Sequence, residues 1–526
     1  MKRTLLIWFT ILSSLIGCVD DKSNTQIEEL NEVTIGALQD KYSAKLGSYL
    51  QIPLPITTRT GDESQLSYAW YTYTPTTRTQ ADTLGKTKDL NAFMDPKILT
   101  PGEDYSLVVK ITDLSTGVYY RKKMKLEVLS DFTKGTLLLC KENENYALHF
   151  MVDDAEKTFI KNIFEAANGT KLENPVRVYA LNPNKYQPQM KEVLVLCENE
   201  TSGYFLNPVS MKSNRTVESA ITFSPETGIY SPKLHVESSS RSVDYLIISD
   251  QVFKRGTNMG AMTWDAPMVV VEGSTEYKIG NGMVQSSSGP AFYDELNGRI
   301  LVHNNTAWNK APLKQLKTET GDLNYFDCNN IETNMEYLAG GLLSTDNECW
   351  MLLRHKETQQ NYLFKIKITS DNRGTSLAKI TITPEVAPHL QEATHFASLE
   401  GMKDLLFYST GNSVYAIALS NLREGVTNNL EAQIINGLED NFSITGMKLS
   451  DILVPDPLQP VPAVHGLAER DAGRGTAGKG TSGISGKQKG GIAYYELGTV
   501  GGIHADPVYR LSGFCDQVID VEEKYE

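Results

Sequence analysis

The cysteine at position 18 is the residue whose sequence context predicts the most specific chemistry. Before it come two basic residues at positions 2 and 3, an apolar run over residues 5–16, and a small residue, Gly17. A charged start, an apolar middle and a small residue at the cleavage point are the order of a secretory signal peptide. Leu15-Ile16-Gly17-Cys18 is also the bacterial lipobox pattern, in which a thioether joins the cysteine sulfur to diacylglycerol. We therefore expect residues 1–17 to be a signal peptide and Cys18 to be the site of lipid attachment.

The alternative for this stretch is an N-terminal transmembrane helix. Its apolar run has about twelve residues, whereas a membrane-spanning helix needs about twenty, so the sequence favours the lipid anchor. The acidic pair Asp20 and Asp21 resembles the surface-export signal of Bacteroidetes lipoproteins. This resemblance implies a protein that is held in the outer membrane by lipid on Cys18 and faces the cell exterior.

The remaining motifs that could carry out chemistry are weak. Gly473, Gly478 and Lys479 have the spacing of a phosphate-binding P-loop, but Gly480 stands where Ser or Thr should bind magnesium, so we interpret the segment as a flexible loop. The sequence has no HExxH pair, no Asp-rich calcium loop and no Gly-x-Ser-x-Gly elbow. It therefore predicts no catalytic set, no metal site and no cofactor. A glycosidase-like pair of carboxylates stays open, because a sequence does not show which carboxylates approach each other.

Two tryptophans are candidates for ligand binding. Trp264 and Trp308 each lie in a polar segment that ends in proline, between strand-like runs. An aromatic ring in such a loop can stack on the apolar face of a sugar, while neighbouring Asn and Asp side chains bind its hydroxyls. The alternative is that each ring fills a seam between packed sheets. Trp70 and Trp350 lie inside strand-like runs, so we assign both to the core.

The formal net charge limits the classes of binding partner, and the cysteine count indicates the state of the thiols. The formal net charge is −14, so no broad basic surface is expected and a nucleic-acid partner is excluded. Besides Cys18 there are five cysteines, an odd number with no CxxC spacing, which indicates buried structural thiols. A disulfide between Cys328 and Cys349 remains an alternative.

The segments that follow Cys18 have distinct compositions. Residues 18–30 are polar and acidic, as in a flexible tether. In residues 31–130, short strand-like runs alternate with turn signals, which predicts a β-sandwich. One run, Tyr68-Ala69-Trp70-Tyr71-Thr72-Tyr73, can bury Trp70. A later run ends at Asp113 and turns at Gly117, where a positive φ is expected.

This sandwich resembles the polycystic-kidney-disease (PKD) type of immunoglobulin-like domain. The resemblance rests on a strand with a Tyr-x-Trp core, Tyr68 to Trp70, and on the later strand of residues 101–113, which begins Pro-Gly-x-x-Tyr and ends Ile-Thr-Asp. The Asp-Phe-Gly-Asp-Gly segment that usually follows the tryptophan is missing. The order of lipobox, PKD-like domain and long β-rich region is similar to that of the PKD-like family lipoproteins of Bacteroidetes.

Residues 131–526 repeat one pattern of apolar strand, polar turn and apolar strand. Seven such pairs follow each other at intervals of about fifty residues, a period typical of a β-propeller. We therefore predict an all-β protein with an N-terminal sandwich and a propeller of about seven blades. Six or eight blades, or packed β-sandwiches, are the alternatives. A helix is expected over residues 155–168, and the Pro- and Gly-rich residues 455–490 are expected to form a disordered loop.

These expectations favour a surface lipoprotein whose propeller binds a ligand or serves as an accessory module. The resemblance implies capture of a glycan or another nutrient, beside an outer-membrane transporter complex. One competing class is a propeller hydrolase or lyase acting on polysaccharide. A structural or adhesion protein is the other.

Overall fold

The computed structural model describes residues 30–524 except for sixteen internal gaps. The gaps are residues 75–80, 96–97, 102, 154–155, 182–190, 223–231, 238–242, 257–261, 287–288, 304–311, 344–346, 399–403, 436–441, 453–460, 471–489 and 497–508. The chain divides into two compact units, Met1–Leu129 and Ser130–Glu526. In the described part, no helix is both long enough and apolar enough to cross a membrane.

The N-terminal unit is a β-sandwich. Its described strands are β1 (Val33–Ile35), β2 (Lys41–Lys45), β3 (Tyr49–Ile52), β4 (Ile56–Thr58), β5 (Leu66–Tyr73), β6 (Asp82–Gly85), β7 (Leu90–Phe93), β8 (Asp104–Asp113) and β9 (Tyr119–Leu129). Five of them form a sheet in the order β2-β9-β8-β5-β6, and two small sheets pair β1 with β4 and β3 with β7. Trp70 on β5 is fully buried in the core of this unit. Its indole Nε1 donates to the carbonyls of Thr87 and Lys88, and Gly117 has the expected positive φ of 72°.

The C-terminal unit consists of seven antiparallel sheets that follow each other along the chain. The first sheet contains β10 (Gly135–Glu142), β11 (Asn145–Val152), β12 (Phe159–Ile160) and the last strand of the chain, β36 (Gln517–Lys524); the second contains β13 (Pro175–Leu181), β14 (Glu192–Cys197), β15 (Gly203–Leu206) and β16 (Ser213–Thr216). The third sheet contains β17 (Pro232–Glu237), β18 (Val243–Ile248) and β19 (Gln251–Gly256); the fourth contains β20 (Ile279–Ser286), β21 (Gly289–Asp294), β22 (Arg299–Val302) and β23 (Lys314–Gln315); the fifth contains β24 (Met335–Leu342), β25 (Glu348–His355), β26 (Asn361–Ile368) and β27 (Gly374–Ile382). The sixth sheet contains β28 (His395–Ala397), β29 (Leu405–Thr410), β30 (Ser413–Ala418) and β31 (Ala432–Ile435); the seventh contains β32 (Phe442–Ile452), β33 (Val461–Arg470), β34 (Gly490–Glu496) and β35 (Tyr509–Cys515). Two 3-10 turns, Glu218–Ala220 and Thr320–Asp322, complete the described elements together with one short helix, Ile163–Asn168.

The seven sheets form a closed ring. One edge strand of each sheet contacts the edge strands of the two neighbouring sheets, in the cyclic order β36, β13, β17, β20, β24, β28, β32 and back to β36. The C-terminal strand β36 closes the ring because it pairs with β10 in the first sheet. This is the architecture of a seven-bladed β-propeller, and the predicted fold class is confirmed.

Each seam between neighbouring sheets has its own hydrophobic core. In β10, Leu137 and Leu139 face the second sheet, whereas Leu138 and Cys140 face the seventh. Successive side chains of a strand point to opposite faces of its sheet. A strand in the middle of a blade is therefore buried on both faces, which explains the continuous apolar runs that the sequence shows.

The structure differs from the sequence-based expectations in two segments. Only Ile163–Asn168 of the expected helix is helical, because Phe159–Ile160 pairs with β11 before it. Within residues 455–490, β33 is a strand paired with β32 and β34, so Pro462 lies near a strand end rather than in a loop. The rest of that expected loop, apart from Gly490, lies outside the described residues, as do the signal peptide and residues 18–29 of the tether.

Candidate functional site at the centre of the ring

The seven edge strands that contact each other around the ring are called its inner strands. Each inner strand is paired on one side only, because it stands at the end of its sheet. An unpaired strand edge presents backbone N–H and C=O groups that can bind another molecule. The centre of the ring is thus the place where polar groups from all seven sheets converge.

Side chains of β36 hold the first and second sheets together at their inner strands. Asp520 Oδ2 accepts a hydrogen bond from the backbone N of Val178 over 2.9 Å, and Glu522 Oε1 accepts one from the N of Ala180 over 3.2 Å. Both donors belong to β13, whose edge amides would otherwise lack a partner in the sheet. Bonds from a backbone amide to a carboxylate are stronger than those to neutral acceptors. The two acidic residues therefore position β13 beside the closing strand.

Side-chain hydroxyl groups join other neighbouring sheets near the centre of the ring. Thr445 Oγ1 donates to the carbonyl of Val518 over 2.9 Å, which joins the seventh sheet to the first. Tyr337 Oη donates to the carbonyl of Met283 over 2.7 Å, which joins the fifth sheet to the fourth. At Gly340 of β24, an added Cβ atom would lie 2.8 Å from Cγ2 of Val284 on β20, so the glycine leaves room for the neighbouring sheet.

Arg177 on β13 of the second sheet and His395 on β28 of the sixth sheet, called the central pair below, both lie on inner strands of the ring. Burial lowers the pKa of the His395 imidazole, a hydrogen bond to the Thr445 backbone raises it, and the positive charge of Arg177 lowers it further. His395 is therefore neutral at physiological pH, and its Nδ1 lies 2.8 Å from Thr394 Oγ1.

The Arg177 side chain is 51% exposed, and its Nη1 lies 3.5 Å from Asp520 Oδ1. That contact is long for a charge-assisted hydrogen bond, and about half of the side chain remains accessible to a ligand. A guanidinium offers five planar N–H donors that suit hydroxyl and carboxylate oxygens, and a neutral imidazole can donate or accept. The central pair can bind a polyhydroxylated or carboxylate-bearing molecule.

The structure places Trp264 in the seam between the second and third sheets. Its ring is fully buried and stacks on Phe205, with ring centroids 5.4 Å apart and an angle of 28° between the planes. The guanidinium carbon of Arg255 lies 4.1 Å from the Trp264 ring centroid on β19's side of the seam. The ring therefore presents no face to a sugar, and the seam-filling alternative describes its position.

Arg255 connects this tryptophan to a cluster of four ionic groups, of which Arg255, Asp244 and Glu192 are buried and Arg215 is partly buried. Arg255 Nη2 lies 2.7 Å from Asp244 Oδ2, and Arg255 Nη1 lies 3.7 Å from Glu192 Oε2. Glu192 also accepts two hydrogen bonds, of 2.6 and 2.8 Å, from Arg215. Charged groups are tolerated in an interior only when they are paired in this manner. We interpret the cluster as structural, since the described residues leave its two carboxylates fully occupied by arginines.

A histidine and a buried glutamate form the arrangement that most resembles part of a catalytic site. The His389 ring contacts Glu431 Oε1, and the hydroxyl of Tyr408 donates to Glu431 Oε2 over 2.6 Å. The imidazole lies flat on Tyr415, with centroids 4.1 Å apart. A carboxylate that orients a half-exposed imidazole is typical of a general base, although no nucleophile accompanies it among the contacts of the described residues.

The five cysteines of the described chain, Cys140, Cys197, Cys328, Cys349 and Cys515, are buried free thiols. Cys328 and Cys349 are both free thiols and form no disulfide, which decides between the two alternatives. Burial raises the pKa of Cys197, Cys328 and Cys349 to about 12, so they are not thiolates at neutral pH. In the described part of the chain, no group of three or more His, Cys, Asp or Glu side chains could hold a metal ion.

Four residues singled out from the sequence, Cys18, Asp20, Asp21 and Trp308, lie outside the described residues, as do Gly473, Gly478 and Lys479. In contrast, the sequence analysis missed Arg177, His395 and Asp520. These three come from strands up to about 340 residues apart. Asp520 and Arg177 come together because the C-terminal strand β36 closes the ring beside β10. That closure was not predicted from the sequence.

Comparison with known proteins finds one family match and several distant structural likenesses. Residues 18–175 match the model of the PKD-like family. No curated protein sequence matches the chain. A quinonprotein alcohol dehydrogenase-like protein from Bacteroides thetaiotaomicron is similar in structure, with 12% identity and a TM-score of 0.41 over 91% of this chain and 97% of that chain.

Two further solved structures are more distant. The dihydro-heme d1 dehydrogenase NirN has 12% identity and a TM-score of 0.34, over 73% of this chain and 79% of its own. Prolyl oligopeptidase B from Galerina marginata has 10% identity and a TM-score of 0.34, over 64% of this chain and 44% of its own. At such identities the likeness concerns the fold alone. The family match confirms the PKD-like part of the resemblance stated from the sequence, over residues 18–175.

Proposed function

We propose that this protein is a lipid-anchored binding or accessory protein of the outer cell surface that captures a glycan or another polar nutrient. The observation that carries the proposal is the central pair of the propeller. Arg177 is half exposed with one long carboxylate contact, and His395, on another inner strand, has a pKa that burial and the positive charge of Arg177 hold below its ordinary value. A guanidinium and a neutral imidazole can both form hydrogen bonds with hydroxyl and carboxylate oxygens.

The binding proposal predicts that purified residues 30–526 are retained by one class of polysaccharide in affinity electrophoresis. We expect Arg177→Ala to reduce this retention by about tenfold or more, because hydrogen bonds to charged groups contribute about 1.5–3 kcal/mol each. Arg423 is exposed in the same unit, so Arg423→Ala is the matched control for loss of one positive charge. Retention of Arg177→Ala equal to that of the unchanged protein would contradict a site at the central pair.

The proposed location rests on the sequence around Cys18. We propose that the lipid on this cysteine holds the protein in the outer membrane, that Asp20 and Asp21 direct it outward, and that it works beside a transporter complex. We expect Cys18→Ala to move the protein from the membrane fraction to the soluble fraction while the far-ultraviolet circular dichroism of the purified protein stays the same. Continued fractionation with the outer membrane would show that the lipobox interpretation is wrong.

A polysaccharide hydrolase or lyase is the second candidate, and the arrangement that favours it is His389 oriented by the buried Glu431. Release of oligosaccharides from a retained polysaccharide, lost in His389→Ala, would favour this enzyme. Absence of both retention and release across neutral and acidic polysaccharides would leave the structural or adhesion protein as the remaining class.

A further inference from the structure

A second set of exposed side chains lies on the N-terminal unit, on the outer face of the small sheet formed by β3 and β7. Along both strands, buried and exposed residues alternate. Leu50, Ile52, Leu90 and Ala92 point into the core of the sandwich. The alternate positions, Tyr49 and Gln51 on β3 and Asn91 and Phe93 on β7, are exposed. We call these four residues the aromatic–amide face.

The two aromatic rings of this face stand side by side. Tyr49 and Phe93 are directly opposite in the strand register, and their centroids are 5.4 Å apart at an angle of 57°. Tyr49 is 65% exposed and Phe93 is 45% exposed. Large apolar side chains on a surface are ordinary when they are scattered, but an adjacent pair forms a patch that favours contact with another molecule.

The amides extend the same face along the strands. Gln51 and Asn91 are also directly opposite, and Gln51 Nε2 lies 3.4 Å from Asn91 Oδ1. Two residues along a strand correspond to about 7 Å, comparable with the size of one sugar residue. Gln51 Oε1 and Asn91 Nδ2 supply an acceptor and a donor beside the rings.

We propose that the aromatic–amide face is a binding surface for an uncharged glycan chain. Sugar rings would stack their C–H faces on Tyr49 and Phe93, and their hydroxyls would bind the two amides. None of the four side chains carries a charge, so the face offers no ion pair to a charged polymer, and the protein's formal net charge of −14 repels acidic polymers in general. The proposal rests on the glycan-binding function above and adds a second site in the other unit.

A structural role for the rings makes a different prediction. A cross-strand aromatic pair also stabilises the pairing of two short strands. Leucine preserves apolar contact area without a flat ring, so the double variant Tyr49→Leu/Phe93→Leu separates stacking from packing. Tyr119, which is 55% exposed on β9 of the same unit, offers a matched control in Tyr119→Leu.

The test is affinity electrophoresis of residues 30–526 on neutral polysaccharides, with thermal unfolding measured in parallel. We expect the double leucine variant to lose about tenfold in retention with an unchanged melting temperature, Tyr49→Trp to retain binding, and Tyr119→Leu to behave as the unchanged protein. Retention of the double variant equal to the unchanged protein, while Arg177→Ala loses it, would overturn this surface and leave the central site standing.

Two other outcomes would also overturn the proposal. No retention of the unchanged protein on any polysaccharide would remove the glycan-binding function itself. In sedimentation experiments, self-association that disappears in the double leucine variant would show that the face binds a second copy of the chain instead.

Discussion

Removal of the closing strand is expected to unfold the C-terminal unit. The variant ends at residue 515, so β36 is lost while all other described strands remain. Burial of Val518 and Val521 contributes about 1.5–3 kcal/mol each, and each amide bond to Asp520 or Glu522 contributes a similar amount. These contributions are comparable with the entire stability of a domain, about 5–15 kcal/mol. Circular dichroism should show loss of the cooperative thermal transition of this unit.

The matched control for this deletion ends at residue 524, which keeps the whole of β36. We expect the control to melt as the unchanged protein does. In the truncated variant, the N-terminal unit should keep a transition of its own, since Trp70 lies in a separate hydrophobic core. A cooperative transition of the C-terminal unit at its usual temperature after truncation would show that β36 does not hold the ring closed.

The blades could be predicted from the sequence because their central strands are buried on two faces. In β25, Trp350 and Leu352 pack toward the sixth sheet, and Cys349, Met351 and Leu353 pack toward the fourth. Such strands contain no polar alternation, so each appears in the sequence as a short apolar run bounded by turn residues. Seven such pairs at similar intervals were sufficient to predict seven blades.

The inner and outer strands were much harder to predict. The outer strand β16 reads Ser-Asn-Arg-Thr, which lacks the composition of a buried strand, and the inner strand β13 begins at Pro175 and contains the charged Arg177. The contact between Arg177 and Asp520 depends on closure of the ring between its ends. No local pattern encodes that closure, because it joins segments separated by most of the unit. The candidate site therefore became apparent only in three dimensions.

The tryptophans show why the sequence could not distinguish a ligand-binding ring from a core ring. Trp264 lies in a segment of polar residues and proline, the composition of an exposed loop. Its backbone forms hydrogen bonds with Ala220 and Thr222, which carry this segment across the seam between the second and third sheets. The polar neighbours are exposed while the indole alone points inward. Composition describes the segment but not the direction of one side chain within it.

Truncation of this ring is expected to destabilise the propeller strongly. Trp264→Ala removes a fully buried indole that stacks on Phe205, and such substitutions cost about 3–5 kcal/mol because a cavity remains. The Arg255 guanidinium would also lose its aromatic contact in an interior where its charge depends on close partners. Urea unfolding followed by circular dichroism should show a lower midpoint with an unchanged slope.

Trp264→Phe is the control for this prediction, because it preserves an aromatic face for both Phe205 and Arg255 while removing less volume. We expect it to recover most of the lost stability. If Trp264→Ala instead kept its unfolding midpoint and lost only polysaccharide retention, the ring would have to turn outward to meet a sugar. That result would contradict its burial, and it would also require Arg255, Asp244 and Glu192 to remain stably paired beside an open cavity.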